Sequence, residues 1–85
     1  MKFIIFLLDC PKGACITSSG PDPNKTCLFP FKYAGETHNC CTFVGTFEGE
    51  NSWCSTMTDK FGMHIPFQGH FGYCPKECEP KSVGK

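Results

Sequence analysis

The sequence has no excess of either charge and no block of like charges. Eight Lys and Arg residues balance eight Asp and Glu residues over 85 residues. Proteins that bind nucleic acid or anionic membranes need a basic surface. We therefore expect neither of these as a partner.

Aliphatic residues are also scarce. Between Cys10 and Lys85, Ile, Leu and Val together occur five times, whereas Phe occurs seven times, Tyr twice and Trp once. A chain of this length forms one domain, and such a domain buries too little surface to be stable without cross-links. The core is therefore expected to be mostly aromatic and stapled by disulfides.

Long apolar runs are absent, so no transmembrane segment is predicted. The run Phe3 to Leu8 is too short to span a membrane as a helix. It resembles an abbreviated signal peptide, although Asp9 interrupts it early; the alternative is an apolar strand that docks on the domain. Residues 1–14 are accordingly set apart from the module, and residues 79–85 are predicted to be a flexible tail.

The motifs that carry catalysis or hold metals are missing as well. There is no nucleophile elbow, no paired-carboxylate cleft and no glycine loop for phosphate. The Cys-x2-Cys and His-x3-His spacings that wrap a tetrahedral ion are also absent. We predict that the chain is not an enzyme and uses no metal or cofactor.

Cysteine, in contrast, is abundant. Eight cysteines in so short a chain indicate a disulfide framework, which persists in an oxidising compartment, so a secreted, extracellular protein is predicted. Asn24-Lys25-Thr26 is an N-glycosylation sequon in a stretch whose composition predicts a loop, and Asn24 is the candidate glycosylation site.

Sequence patterns predict short strands and no convincing helix. Strands are predicted for Leu28 to Ala34, Thr42 to Thr46 and Ser52 to Thr56. The compact part is expected to begin near Cys27. The stretch from Cys54 to Cys74 is irregular yet rich in aromatic rings, which either close the core or line a ligand surface.

Specific motifs appear between Cys27 and Cys74. They are Cys27-Leu-Phe-Pro-Phe-Lys-Tyr33, Gly35, Cys41-Thr42, Gly45, Trp53-Cys54-Ser-Thr56 and Gly72-Tyr73-Cys74. In this order and near this spacing they resemble a fibronectin type II module, with its core at 27–74 inside a domain predicted over residues 15–78. The longer reach from Cys54 to Cys74 and the flanking Cys15 and Cys78 resemble a variant found in invertebrate multi-module secreted proteins.

The resemblance implies a small disulfide-rich β fold. It would consist of two short, roughly perpendicular, antiparallel two-stranded sheets with little or no helix. The family pattern also implies the disulfides Cys27–Cys54 and Cys41–Cys74. Three pairings remain for the other four cysteines. We favour Cys15–Cys78, which would join the two ends of the module, and this leaves Cys10–Cys40.

The family's ligand site is an aromatic depression. The motif positions that line it correspond to Tyr33, Trp53, Phe71 and Tyr73. Such a surface suits collagen- or gelatin-like chains, and also choline headgroups through cation–π attraction. The alternative is that these rings are simply core. If they bind ligand, Trp53→Ala should abolish binding while the domain stays folded.

We therefore predict a secreted module that binds a collagen- or gelatin-like extracellular matrix protein. Two alternatives stay open: a regulatory or structural part, or fragment, of a larger secreted protein such as a serine protease or receptor, and a stand-alone effector that binds choline phospholipid headgroups. Two departures from the family bear on affinity. Phe71 stands where Trp is usual, and His38 stands where an aromatic residue is common. His38 is either an ordinary surface or packing residue, which we favour, or a switch whose protonation weakens binding below about pH 6.5.

Overall fold

The computed structural model describes residues 8–9, 14–46 and 51–82. Within these ranges the chain forms three antiparallel two-stranded sheets, which pair β1 with β6, β2 with β3 and β4 with β5. The elements are β1 Leu8–Asp9, β2 Phe31–Tyr33, β3 Glu36–His38, β4 Trp53–Ser55, β5 Phe71–Tyr73, the 3-10 helix η1 Lys76–Cys78 and β6 Lys81–Ser82. The small disulfide-rich β fold is confirmed, and the sheet of β1 and β6 is an addition to the two predicted.

The β2–β3 hairpin follows from its turn. Ala34 and Gly35 both have positive φ angles, of 54° and 80°, as a two-residue hairpin turn of the primed type requires. The turn sets Phe31 opposite His38 and Tyr33 opposite Glu36. The strand is shorter than predicted and begins only at Phe31, because the preceding Pro30 has no N–H to donate.

The β4–β5 sheet is extended on one side by a single residue. Trp53 of β4 pairs with Tyr73 of β5. On the other edge of β4, the backbone of Trp53 exchanges two hydrogen bonds of 2.9 Å with Thr42. The strand predicted for Thr42 to Thr46 is wrong beyond Thr42. There the chain turns at Gly45, whose φ is 86°, and the N–H of Thr46 donates to the carbonyl of Phe43.

The loop before Cys27 is packed on the domain. Ser18 and Ser19 bond the outer edge of β5 through Tyr73, with N···O distances of 2.9 Å. Thr17 is buried beneath Gly72, and its hydroxyl donates to the carbonyl of Asp22 at 2.7 Å. The packed part of the chain therefore begins well before Cys27. The sequence analysis had expected it to begin near Cys27.

Disulfides and two rings make up the core of the described residues. The bridges are Cys15–Cys78, Cys27–Cys54 and Cys41–Cys74, the same pairs that were expected, and together with Phe31 and Trp53 they form the buried cluster. Cys40 is also disulfide-bonded. Its expected partner, Cys10, lies outside the described residues.

The two ends of the described chain meet. Leu8 pairs with Ser82 and Asp9 with Lys81 in the β1–β6 sheet. These residues belong to the segments 1–14 and 79–85, for which a signal-like or docked apolar segment and a flexible tail stay predictions. Across the described ranges no helix has the length and apolarity that a membrane crossing requires.

Candidate functional site

An open depression of about 350 Å³ lies over the β4–β5 sheet. Its size is at the low end for ligand sites, which suits a side chain or a short segment. None of the described residues that line it is an Asp, Glu, Lys or Arg. The lining consists of Tyr33, Val44, Gly45, Thr46, Trp53, His64, Pro66, Phe67, Gly69, Phe71 and Tyr73.

Trp53 forms the floor of the depression. The residue is only 6% exposed, and its ring centroid lies 5.2 Å from that of the fully buried Phe31. The indole N–H donates to the carbonyl of Val44 at 2.8 Å, which ties the turn at the rim to the floor. Trp53 is therefore mainly a core residue, of which a small part is exposed in the depression.

Three half-buried rings form the walls. Tyr33 from β2 stands edge-on to Trp53, with centroids 5.1 Å apart and planes at 88°. Phe71 from β5 meets Trp53 edge-on at 5.8 Å, and Tyr73 meets Phe71 at 5.8 Å and 87°. Edge-to-face packing of this kind is favourable and holds each ring in a fixed orientation.

The structure thus brings Tyr33, Trp53, Phe71 and Tyr73 around one depression. They do not contribute equally, because only the three wall residues keep substantial exposed area. The expectation that Trp53→Ala leaves the domain folded conflicts with the burial of this ring.

His64 is a lining residue that sequence reasoning did not identify. Residues 62–64 lie along the free edge of β2, where the N–H of Lys32 donates to the carbonyl of Gly62 and that of His64 donates to the carbonyl of Lys32, both at 2.9 Å. This position places the imidazole 5.1 Å from Trp53 and 5.8 Å from Tyr33. The only sequence signal was its place in the long stretch between Cys54 and Cys74.

His38, the histidine singled out from the sequence, lies elsewhere. Its ring packs against Phe31 with centroids 5.3 Å apart, and it is not part of the lining. The imidazole therefore packs against the core in the position where the family commonly has an aromatic ring. The pH switch proposed for it has no direct contact with the depression.

Phe67 stands at the rim with its side chain fully exposed. Its φ is 65°, in the left-handed region that disfavours bulky residues. Phe61, from the same long stretch, is 68% exposed and does not line the depression. Of the two rings, only Phe67 is placed to contact a ligand there.

The four core cysteines could be mistaken for a metal site. The sulfurs of Cys27, Cys41, Cys54 and Cys74 lie within 4.8 Å of one another. They are paired as two disulfides, with Sγ of Cys27 lying 4.0 Å from Sγ of Cys74, and a disulfide has no thiolate to offer a metal.

The candidate glycosylation site lies away from the depression. Asn24 is exposed in the packed loop, and its backbone N–H donates to the carbonyl of Thr17 at 2.9 Å. The side chain of Asn24 is therefore open to solvent while its backbone is held.

These features define a class, that of small β modules held by disulfides and carrying an aromatic depression. The family model for the fibronectin type II domain matches residues 27–74, which is more than half of the chain. The chain belongs to the fibronectin type II domain family.

Two relatives illustrate the similarity. The chain is 31% identical over 67 residues to the 72 kDa type IV collagenase of Gallus gallus, covering 79% of this chain and 9% of the relative. It is 29% identical over 75 residues to Matrix metalloproteinase-9 of Canis lupus familiaris, covering 88% of this chain and 10% of the relative. The chain thus spans about a tenth of the length of these relatives. No solved structure matches it.

Proposed function

We propose that the chain is a secreted binding module that holds collagen- or gelatin-like segments of an extracellular matrix protein in the aromatic depression. The observation that carries this proposal is the convergence of Tyr33, Phe71 and Tyr73 over Trp53 on an open surface. Rings that served only the core would not leave three partly exposed faces around one concavity.

The chemistry of the lining supports an extended, uncharged ligand. A collagen-like chain in the polyproline II conformation offers flat imino-acid rings and a backbone with no internal hydrogen bonds. Aromatic-lined grooves take up such segments at low entropic cost, because the ligand is already extended. The absence of charged side chains among the described lining residues fits this ligand better than an ionic one.

The relatives point the same way. One is by name a type IV collagenase, and the similarity covers the fibronectin type II part of these enzymes and not their catalytic domain. We propose that this chain supplies binding rather than catalysis and that it works as a module within a longer secreted protein. Secretion would also account for the disulfides and would allow glycosylation at Asn24.

Choline phospholipid headgroups are the competing ligand. Tyr33, Trp53 and Tyr73 offer ring faces that attract a quaternary ammonium. The described lining adds no carboxylate to favour a cation. For this reason we place matrix protein first.

The test is a titration of the oxidised protein with gelatin and, separately, with phosphorylcholine, followed by Trp53 fluorescence. Saturable binding of gelatin is expected. Tyr33→Ala should weaken it by roughly thirtyfold, the effect of losing an aromatic hot spot of about 2 kcal/mol. Circular dichroism checks that the variant is folded, and Tyr33→Leu serves as a second variant that keeps apolar bulk.

Phe61→Ala is the matched control, because it removes an exposed ring that does not line the depression. It should leave gelatin affinity unchanged. A fluorescence response to phosphorylcholine alone would favour the lipid ligand. Equal gelatin affinity of the wild type and both Tyr33 variants would show that gelatin does not bind in the depression.

A further inference from the structure

His64 is the one imidazole in the lining of the aromatic depression. Besides Trp53 and Tyr33, its ring faces Phe71, with centroids 6.4 Å apart. His64 is thus a polar ring among aromatic side chains, and its two nitrogens have different surroundings.

The contacts of Ser55 favour one tautomer of His64. The Ser55 hydroxyl lies 2.9 Å from the carbonyl oxygen of Met57 and 2.7 Å from Nδ1 of His64. A hydroxyl has one proton, and the carbonyl can only accept, so the Ser55 proton goes to Met57. Nδ1 of His64 must then carry a hydrogen and donate it to Ser55 Oγ. Ser55 is fully buried in β4, so water does not compete for this contact.

The second nitrogen, Nε2, is left with a lone pair. No hydrogen bond to it is formed within the described part of the chain, and it is not among the buried polar atoms that lack a partner. It is therefore accessible. Burial lowers the pKa of His64, and His70 lowers it further, so the imidazole is neutral at pH 7 and Nε2 is an acceptor.

We propose that Nε2 of His64 makes the depression selective for an apolar ring that carries a hydroxyl donor, such as the hydroxyproline of a collagen-like chain. The proposal rests on the proposed function and names the ligand group that the site prefers. Ring faces of Tyr33 and Phe71 take the apolar part of the ligand, and His64 accepts its hydrogen bond. A quaternary ammonium has no hydrogen to donate and gains nothing from this acceptor.

The direction of this hydrogen bond depends on pH, because a protonated imidazole can only donate and the ligand hydroxyl, which can also accept, would then be the acceptor. β4 contributes no titratable group, since Cys54 is in a disulfide. The titratable or charged groups on the neighbouring segments are Lys32 and Tyr33 of β2, Asp59 in the turn before His64, His70, and Tyr73 of β5. Of these, His70 affects the pKa of His64. Replacing His70 with Asn should therefore raise the pH at which Nε2 of His64 changes from acceptor to donor.

The experiment compares two single-stranded peptides of equal length, one of Gly-Pro-hydroxyproline repeats and one of Gly-Pro-Pro repeats. Each is titrated into the oxidised protein at pH 7 with Trp53 fluorescence as the signal. The wild type is expected to prefer the hydroxylated peptide by about fivefold, the effect of one neutral hydrogen bond. His64→Phe keeps an aromatic ring without nitrogens and should bind both peptides equally. His38→Phe is the matched control and should keep the preference, because His38 lies outside the lining.

Nitrogen-15 NMR of the ligand-free protein supplies a second readout. A neutral His64 with the hydrogen on Nδ1 is expected, and a hydrogen on Nε2 at pH 7 would overturn the proposal. Equal affinity of the wild type for both peptides, unchanged in His64→Phe, would also overturn it while leaving the proposed function intact. Failure of the folded wild type to bind either peptide would refute both.

Discussion

Replacing Trp53 with alanine should chiefly destabilise the fold. The ring is 6% exposed, packs 5.2 Å from Phe31 and 5.1 Å from Tyr33, and its N–H bonds the carbonyl of Val44. Truncation of a buried Trp to Ala leaves a cavity and costs about 3–5 kcal/mol. A domain of this size has a total stability of roughly 4–13 kcal/mol, so much of it would be lost.

Thermal unfolding followed by near-ultraviolet circular dichroism measures this loss with the disulfides intact. At about 4–8 °C per kcal/mol, Trp53→Ala should lower Tm by roughly 12–40 °C. Trp53→Phe keeps a ring but loses the hydrogen bond to Val44, and it should cost about 1–2 kcal/mol. Phe61→Ala, a change at an exposed ring, should alter stability by less than about 0.5 kcal/mol. A Tm for Trp53→Ala within a few degrees of wild type, about 5 °C or less, would show that this ring is not a core residue.

Three further outcomes are expected. Phe67→Gly should change the free energy of unfolding by less than about 0.5 kcal/mol, because relief of its left-handed φ offsets the entropy of glycine, yet weaken gelatin binding in a fluorescence titration. Undiminished gelatin binding would remove Phe67 from the site. Gly72→Ala should destabilise by about 2 kcal/mol or more in chemical denaturation, since its Cβ would lie 2.6 Å from Cβ of the buried Thr17; wild-type stability would contradict this packing. Because burial lowers the pKa of His64, stability should fall as pH drops below 6.5, where the unfolded state takes up the proton first, and level off below the folded pKa. Denaturation at a series of pH values should show this decline reduced in His64→Phe, and an identical decline would place its origin elsewhere.

The motif residues predicted both the fold and most of the site. Tyr33, Trp53, Phe71 and Tyr73 were identified from the resemblance to a fibronectin type II module, because they stand at the motif positions that line the family's depression. The strand predicted from Thr42 to Thr46 was wrong because a period-two pattern cannot reveal the positive φ of Gly45. It also could not reveal that only Thr42 finds a partner strand.

His64 and Phe67 show what local patterns leave out. Both lie in the irregular stretch between Cys54 and Cys74, where no periodicity assigns a side to any residue. His64 reaches the depression because its segment hydrogen-bonds along the edge of β2 through Lys32, a contact between residues distant in sequence.

By itself the sequence determined the family, the disulfide-based stability and the aromatic composition of the core. Cysteine count, turn glycines and scarce aliphatic residues constrain those features directly. Only the tertiary structure decided which rings are buried and which are exposed, and which histidine lines the depression. Burial and hydrogen-bond partners depend on how distant segments pack against one another. Thus Trp53 forms the floor of the depression, Phe67 stands at its rim and His64 is part of its lining.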